Sequence, residues 1–242
     1  AIVRVADTRE ALVALAHFWR DRLSGRVIGL TGSSGKTTTK NLVRDVLSAA
    51  YAVTATSGNQ NNELGVPKTL LSASAADDAV VVEMGMRGVG QIEQLCAYAR
   101  PEWGLVVNVG TSHMELLGSR ENIARAKAEL LCALPAGGWA FLNGDDDFAA
   151  FMRDHARLDE RGVRVAVFDG SPKAAERMRP AAESAHAGGA VRSGDALAWA
   201  EDVRLDETGC ASFTLCAAGF PGQAEGAVER AACSLALRGL HN

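Results

Sequence analysis

The chain has 242 residues, of which 48% are hydrophobic and 22% charged, and its formal net charge is −4. This balance is typical of a globular protein, and the lack of a basic block argues against a nucleic-acid-binding or membrane-surface role. No apolar run approaches the roughly 18 residues of a membrane span, and the first residues do not form a signal peptide. The five cysteines include no Cys-x-x-Cys pair, so neither a disulfide framework nor a zinc site is indicated.

Hydrophobic periodicity predicts alternating helices and strands along most of the chain. In chain order it predicts a helix over 9–23, a strand over 26–31 and a helix from about residue 36. Further strands are predicted over 51–55, 78–84, 103–109 and 138–142, and further helices over 65–73, 88–99, 120–133 and 146–156. The strand segments are continuous apolar runs, which is typical of strands buried on both faces of a parallel sheet flanked by helices.

The last third of the chain has a different pattern. Segment 172–194 is rich in Ala, Gly and Ser and predicts a loop with a short helix. Segment 196–217 predicts a hairpin, and another strand fits 228–237. We therefore expect an α/β fold with a mostly parallel sheet flanked by helices, plus a small antiparallel appendage over about 160–237.

A glycine-rich turn joins the strand at 26–31 to the helix that follows it. The turn and the start of that helix carry Gly32, Ser33, Ser34, Gly35, Lys36, Thr37 and Thr38. Glycines let backbone N–H groups wrap phosphate oxygens, and a helix N-terminus adds unpaired N–H groups and a positive dipole end. In such a phosphate loop, Lys36 would contact the β- and γ-phosphates and Thr37 would ligate Mg²⁺. The general motif has another glycine where this chain has Leu30, so spacing alone leaves an ordinary turn as the alternative.

Polar side chains follow the other predicted strands. Glu83 closes the apolar strand 78–84, and Asn108 and His113 follow the strand at 103–109. In parallel sheets, ligands bind beyond the carboxyl ends of the strands, so Glu83 is a candidate Mg²⁺ ligand, with a surface or salt-bridged glutamate as the alternative. A lone histidine is more often structural, although the position of His113 after a strand favours a role in the site.

Lys127 lies on the apolar stripe of the predicted helix 120–133. Ile123, Lys127, Leu130 and Leu131 fall at positions i, i+4, i+7 and i+8. Either the ammonium extends to solvent along the helix surface or Lys127 has a function in the site.

Taken together, these motifs resemble the Mur ligase family, whose members join amino acids or peptides to a cell-wall precursor. The matching segments are 31–38, Glu83, Asn108 with His113, 126–129, the Asn-Gly-Asp-Asp run from Asn143, and His241-Asn242. The shortened glycine spacing of the phosphate loop is the form that this family uses. The run at 58–67, together with 83–86, resembles the branch of the family that adds D-alanyl-D-alanine.

The resemblance implies that ATP phosphorylates the terminal carboxylate of UDP-N-acetylmuramoyl-tripeptide and that the amine of D-alanyl-D-alanine then displaces phosphate. By motif match, the catalytic residues are Lys36, His113 and Lys127, and Lys127 matches a lysine that is carbamylated in several members. The matched ATP-binding residues are the phosphate loop from Gly32 to Thr38, Asn143, His241 and Asn242. The matched magnesium ligands are Thr37 and Glu83, with His113 at a second ion, and the matched substrate residues are Asn59, Asn61 and Asn62.

The family has three domains, and the phosphate loop of this chain begins about 30 residues in. We therefore expect residues 1–25 to be a linker helix after an N-terminal UDP-binding domain. Residues 26–242 would form the central ATPase domain, ending before its last helix and the C-terminal domain. We expect this fragment alone to be inactive as a ligase. We also expect a cytoplasmic bacterial monomer that binds neither nucleic acid nor membranes.

Other functions remain possible at this point. One is another Mur-type ligase that adds diaminopimelate or lysine, or a folylpolyglutamate synthase, although the run at 59–67 favours D-alanyl-D-alanine. A second is a non-catalytic nucleotide-binding homologue, which the intact Lys36, Thr37, Glu83 and His113 disfavour. A third is a phosphate-loop GTPase or kinase, which the glycine spacing and the lack of an Asn-Lys-x-Asp motif disfavour.

Overall fold

The structure is a computed structural model, and it describes residues 2–184 and 189–238. Within these residues one nine-stranded sheet has the strand order β2-β3-β1-β4-β5-β6-β7-β8-β9. The strands are β1 (Arg26–Thr31), β2 (Val53–Ala55), β3 (Ala79–Glu83), β4 (Trp103–Val106), β5 (Trp139–Asn143), β6 (Arg164–Asp169), β7 (Ala196–Leu205), β8 (Cys210–Ala218) and β9 (Val228–Arg238). The strands from β2 to β7 pair in parallel, and β7, β8 and β9 pair antiparallel.

Helices cover both faces of the parallel part of the sheet. They are α1 (Thr8–Arg20), α2 (Lys36–Ser48), α3 (Gly65–Ser72), α4 (Gln91–Ala99), α5 (Met114–Leu117), α6 (Arg120–Cys132), α7 (Ala149–His155) and α8 (Ala174–Ser184). Val80 and Val82 of β3 belong to the large core that also contains Leu130 of α6. Val81, which lies between them, belongs to a separate core with Val43 of α2. Because neighbouring strand residues point to opposite faces, α2 covers the face opposite to α6.

Side-chain caps set the N-termini of two helices. The carboxylate of Asp7 accepts the N–H of Arg9 (2.7 Å) and of Glu10 (2.9 Å), so α1 begins at Thr8. The hydroxyl of Ser119 accepts the N–H of Asn122 (3.1 Å) at the start of α6. Helix α2 has no such cap.

Helix α1, which we expected within a linker, packs on the sheet domain. Ala16 is fully buried in the core. The Arg20 guanidinium donates to the backbone oxygens of Ala99 (2.8 Å) and Arg100 (3.0 Å) and pairs with Glu102 (2.8 Å). These contacts join the end of α1 to the segment between α4 and β4.

The expected fold class is confirmed, with one correction in its C-terminal part. The hairpin predicted over 196–217 and the strand predicted over 228–237 are present as β7, β8 and β9. The antiparallel part does not start near residue 160, however, because β6 and the first residues of β7 extend the parallel sheet. We missed β6 because its apolar run is short and is bounded by Arg164 and Asp169, so its periodicity does not identify a strand.

No helix within residues 2–184 and 189–238 has the length and apolar character needed to cross a membrane.

Candidate functional site

The glycine-rich turn at 32–35 lies at the edge where β1, β3 and β4 end. Gly32, the first residue of this turn, is buried against the segment that follows β4. A Cβ at Gly32 would lie only 2.9 Å from the Cβ of Val107, so a larger residue would push the turn away from β4. The close approach of the two segments therefore requires glycine here.

Asn108 holds the turn in place from the β4 side. Its Oδ1 accepts the N–H of Ser33 (3.1 Å) and of Ser34 (3.0 Å), and its backbone oxygen accepts the N–H of Ser33 (3.0 Å). Its Nδ2 donates to the backbone oxygen of Ser34 (3.3 Å). Sequence reasoning matched Asn108 to the family but gave it no role, because no sequence signal shows that it reaches the turn.

The N-terminus of α2 is open to an anion. Gly35 precedes the helix in the left-handed region, at a φ of 72°, and no side chain caps the first turn, which contains no acidic residue. The buried hydroxyl of Ser33 has no hydrogen-bond partner among the described residues. Unpaired N–H groups, a positive dipole end and an orphaned hydroxyl fit a bound phosphate group.

Lys36 lies over this turn. Its ammonium donates to the backbone oxygen of Gly32 (2.8 Å) and approaches that of Ser33 (3.5 Å). Burial lowers the pKa of Lys36, and the attraction of Glu83 opposes that shift. Both contacts are to carbonyl oxygens, which leaves the lysine's charge without an ion-pair partner in the described chain.

Glu83 joins the turn to a second loop. Its side chain is fully buried and forms no salt bridge with a described residue, so the alternative of a surface or salt-bridged glutamate is wrong. The Thr37 hydroxyl donates to Oε2 (3.0 Å), and Asn61 Nδ2 donates to Oε1 (2.8 Å). The structure thus brings together two of the predicted magnesium ligands, Thr37 and Glu83, which supply the oxygen atoms that Mg²⁺ prefers.

No group of three or more His, Cys, Asp or Glu side chains within the described residues is arranged to hold a metal ion. The pair Thr37 and Glu83 fits a different kind of site. Mg²⁺ commonly keeps several waters and takes one or two protein ligands together with phosphate oxygens.

A cavity of about 590 Å³ opens beside the turn, and we call it the site cavity. It is lined by Arg9, Gly32, Lys36, Asn59, Asn61, Asn62, Glu63, Gly85, Met86, Arg87, Gln91, Gln94, Leu95, His113 and Lys127. Seven of the predicted site residues, which come from four separate segments of the chain, therefore share one cavity.

Lys127 does not extend to solvent. The side chain is 2% exposed, and no hydrogen bond or ion pair joins its ammonium to a described residue. Burial, reinforced by repulsion from Lys36, lowers the pKa of Lys127 to about 7, while Asp146 acts in the opposite direction. The amine is therefore about half neutral near pH 7.

The other predicted residues lie in varied surroundings. His113 is exposed on the cavity wall at the start of α5. Asn143 is used within the fold, because Nδ2 donates to the backbone oxygen of Val107 (3.0 Å) and Oδ1 accepts the N–H of Asp145 (3.0 Å). It is not among the residues that line the site cavity. His241 and Asn242 lie outside the described residues.

The loop that carries Asn59, Asn61 and Asn62 is held by its own contacts. Asn62 Oδ1 accepts the N–H of Leu64 (3.2 Å) and of Gly65 (2.9 Å), so this side chain orders the start of α3. Asn61 reaches Glu83, whereas Asn59 is exposed on the cavity wall.

Sequence reasoning missed Lys40 beside the site, and it included Asp146 only as a member of the Asn-Gly-Asp-Asp run from Asn143. Lys40, one turn after Lys36 on α2, is only 1% exposed. Asp146 accepts the N–H of Val109 (2.5 Å) and of Phe148 (2.8 Å), so it fixes the segment after β4 as well as the start of α7. The i, i+4 spacing from Lys36 is the one signal that places Lys40 on the same side of α2.

A parallel sheet flanked by helices, with an uncapped glycine-rich turn and a buried carboxylate at its carboxyl edge, defines a phosphate-loop nucleotide-binding domain. Residues 30–197 match the family model described as Mur ligase middle domain. The chain belongs to the Mur ligase family.

Curated and solved relatives agree with this assignment. A UDP-N-acetylmuramoyl-tripeptide–D-alanyl-D-alanine ligase of Synechocystis sp. is 51% identical over 142 residues, which are 59% of this chain and 31% of that protein. A crystal structure of MurF from Acinetobacter baumannii matches 99% of this chain and 45% of that chain, with a TM-score of 0.76 and 30% identity. MurF ligase from Thermotoga maritima in complex with ADP matches 96% of this chain and 45% of that chain, with a TM-score of 0.65 and 26% identity. The chain thus spans less than half the length of these relatives.

Proposed function

We propose that this chain is the ATP-binding middle domain of a ligase that adds D-alanyl-D-alanine to UDP-N-acetylmuramoyl-tripeptide in bacterial peptidoglycan synthesis. The observation that carries the proposal is the position of Glu83. Its carboxylate bonds both to Thr37 of the phosphate loop and to Asn61 of the segment 58–67. One buried anion therefore links the nucleotide side of the site to the segment that resembles the D-alanyl-D-alanine-adding branch.

In this proposal the chain's own groups bind and neutralise phosphate. The N–H groups at the start of α2 and the Lys36 ammonium would hold the β- and γ-phosphates of ATP, and Thr37 and Glu83 would hold Mg²⁺. ATP would supply the phosphoryl group that activates the carboxylate of the tripeptide, and the incoming amine would displace it as phosphate. Fixed positive charge around the transferring group would supply most of the rate acceleration.

We propose that Lys127 carries a carbamate. Its neutral amine nitrogen would form a bond to the carbon of CO₂ and release a proton to water, which leaves an anion beside Lys36. The supporting observations are its burial, its lack of a bonding partner in the described chain and its pKa of about 7. A Lys127→Ala variant should lose activity and recover part of it with a small carboxylate such as acetate. Failure of that rescue would count against the carbamate.

The remaining site assignments are proposals on family resemblance and position. His113 would help to hold a second Mg²⁺, and Asn59, Asn61 and Asn62 would contact the muramoyl-peptide from the cavity wall. Asn143, with His241 and Asn242, would lie near the adenine. Residues 1–25 would connect to a UDP-binding domain, and the protein would act as a monomer in the cytoplasm.

The test is an amide-forming assay on the complete product of the gene that encodes this chain. ATP, UDP-N-acetylmuramoyl-tripeptide and D-alanyl-D-alanine should together give phosphate and the amide product. Lys36→Ala should lower kcat at least about 100-fold, because a charge-stabilising group at the phosphates is lost. Lys68→Ala is the control, since Lys68 is an exposed lysine of α3.

Different outcomes separate the alternatives. Amide formation with diaminopimelate or lysine, and none with D-alanyl-D-alanine, would replace the proposal by another Mur-type ligase. Binding of ATP without amide formation from any of these amines would favour a non-catalytic homologue. A preference for GTP over ATP would refute the nucleotide assignment.

A further inference from the structure

Lys40 is a buried cation that the proposed chemistry does not use. It lies on α2 one turn after Lys36, and its side chain is 1% exposed. Its ammonium donates to the backbone oxygens of Thr56 (2.6 Å) and Gly58 (2.9 Å). A buried charge is retained only where hydrogen bonds compensate its lost hydration, so these two contacts define the position of the side chain.

Both acceptors belong to the segment 56–62, which leaves β2 and enters the site cavity. This segment has a second attachment, because Asn61 Nδ2 donates to Glu83 Oε1 (2.8 Å). It has a third where the Thr56 hydroxyl accepts the backbone N–H of Glu83 (3.0 Å). The segment is therefore held between α2 on one side and the end of β3 on the other.

These contacts close a ring that begins and ends on α2. Lys40 holds the start of the segment 56–62, Asn61 at its far end holds Glu83, and Glu83 accepts the hydroxyl of Thr37 (3.0 Å). Thr37 and Lys40 lie within one turn of the same helix. The helix that follows the phosphate loop thus also sets the position of the segment whose Asn59, Asn61 and Asn62 line the site cavity.

We propose that Lys40 is a positioning residue that holds the segment 56–62 in the arrangement that binds the acceptor, an anionic nucleotide-linked peptide. This inference rests on the proposed function, since the acceptor is the UDP-N-acetylmuramoyl-tripeptide, whose carboxylate would accept the phosphoryl group. Lys40 makes no hydrogen bond to the phosphate loop or to Lys36 in the described chain, so its removal should release the segment 56–62 and leave the phosphate loop in place.

The experiment compares Lys40→Met with wild type in the complete gene product. The KM for UDP-N-acetylmuramoyl-tripeptide, the KM for ATP, kcat and the thermal midpoint are measured for each protein. We expect the KM for the acceptor to rise by roughly tenfold or more, because charge-assisted hydrogen bonds to the segment are lost. The KM for ATP should stay within about twofold of wild type. Lys40→Gln keeps an N–H donor and should show a smaller rise in the acceptor KM.

The matched control is Lys68→Met, which makes the same substitution at an exposed lysine of α3. Lys68 makes no hydrogen bond or ion pair with a described residue, so both KM values should be unchanged. A general loss of folding would alter the fraction of active enzyme, and hence kcat, without separating the two KM values.

Several results would overturn the assignment. An unchanged acceptor KM in Lys40→Met, or equal rises for acceptor and ATP, would show that Lys40 does not position the segment selectively. If neither Lys40 variant folds, the residue is an element of the fold and the positioning role is wrong. If wild type makes no amide, the proposed function falls together with this inference, whereas an active wild type with an unchanged variant refutes this inference alone.

Discussion

Removing the buried amine of Lys127 should change how stability depends on pH. Its pKa is about 7 in the folded chain, against 10.5 for an unperturbed lysine. Between these two values the unfolded chain holds a proton that the folded chain does not, so the unfolding free energy rises with pH across this window. The contribution from Lys127 is complete above the unfolded pKa and is lost as the pH falls through the folded one.

The size of the effect follows from the two pKa values. Each pH unit well inside the window corresponds to about 1.4 kcal/mol. Between about pH 7.5 and about pH 9.5, the wild-type unfolding free energy should therefore rise by about 2 kcal/mol more than that of Lys127→Met. Other groups titrate in the same range, including Cys96, whose thiol pKa burial raises to about 12, but they are common to both proteins. The difference between the two proteins isolates Lys127.

The assay is urea denaturation of both proteins at several pH values, in buffer freed of CO₂ so that no carbamate forms. Lys68→Met should parallel wild type at every pH, because its ammonium is exposed in both states. A difference between wild type and Lys127→Met that stays flat across the window would refute the reasoning, since it would mean that the folded chain keeps the ammonium charged. In a second series of measurements, bicarbonate is added to the buffer. If the carbamate forms, bicarbonate should raise the unfolding free energy of wild type and leave that of Lys127→Met unchanged.

Two further predictions concern the fold that supports the site. Arg153→Met should lower the unfolding free energy, measured by urea denaturation, by about 3–5 kcal/mol. The reason is that the Asp195 side chain, which is only 5% exposed, loses its buried ion-pair partner. Arg157→Met, which breaks an exposed ion pair, should cost at most about 1 kcal/mol, and equal losses in the two variants would contradict the argument. Gly65→Ala should destabilise by roughly 2 kcal/mol or more, because a Cβ there would lie 2.1 Å from a backbone oxygen of the preceding loop. Gly170→Ala, where a Cβ meets nothing within 4 Å, should shift the thermal midpoint little, and a similar shift in both glycine variants would show that the loop accommodates the methyl group.

Much of the parallel part of the fold could be predicted from local pattern. The strands β1, β3, β4 and β5 are short apolar runs. Apart from the exposed Arg26, β1 and β3 are buried on both faces, whereas β4 and β5 alternate largely between buried and partly buried residues. That pattern needs no knowledge of the neighbours. The phosphate loop was found in the same way, since glycines between a strand and a helix have a local conformational reason. Lys127 was identified as unusual because the helical period puts it on the apolar stripe.

Other features depend on how the elements assemble. Strand β6 is identified by its parallel pairing with β5 and β7, since its own apolar run is too short to distinguish a strand from a loop. The predicted start of the antiparallel appendage was wrong for the same reason.

The sequence by itself determined the class of domain, because the periodicity, the phosphate loop and the apolar strands each follow from residues close together in the chain. Only the tertiary structure decided which side chains meet at the site and which of them are buried. The strand order β2-β3-β1-β4 places Glu83 between Thr37 and Asn61, brings Asn108 onto the turn and buries Lys40 under the segment 56–62. The contacting residues lie 16 to 75 positions apart in the chain. The burial of Lys127 and Lys40 arises only when the loops meet at the sheet edge. It sets the charge of Lys127 and the hydrogen-bond partners of Lys40.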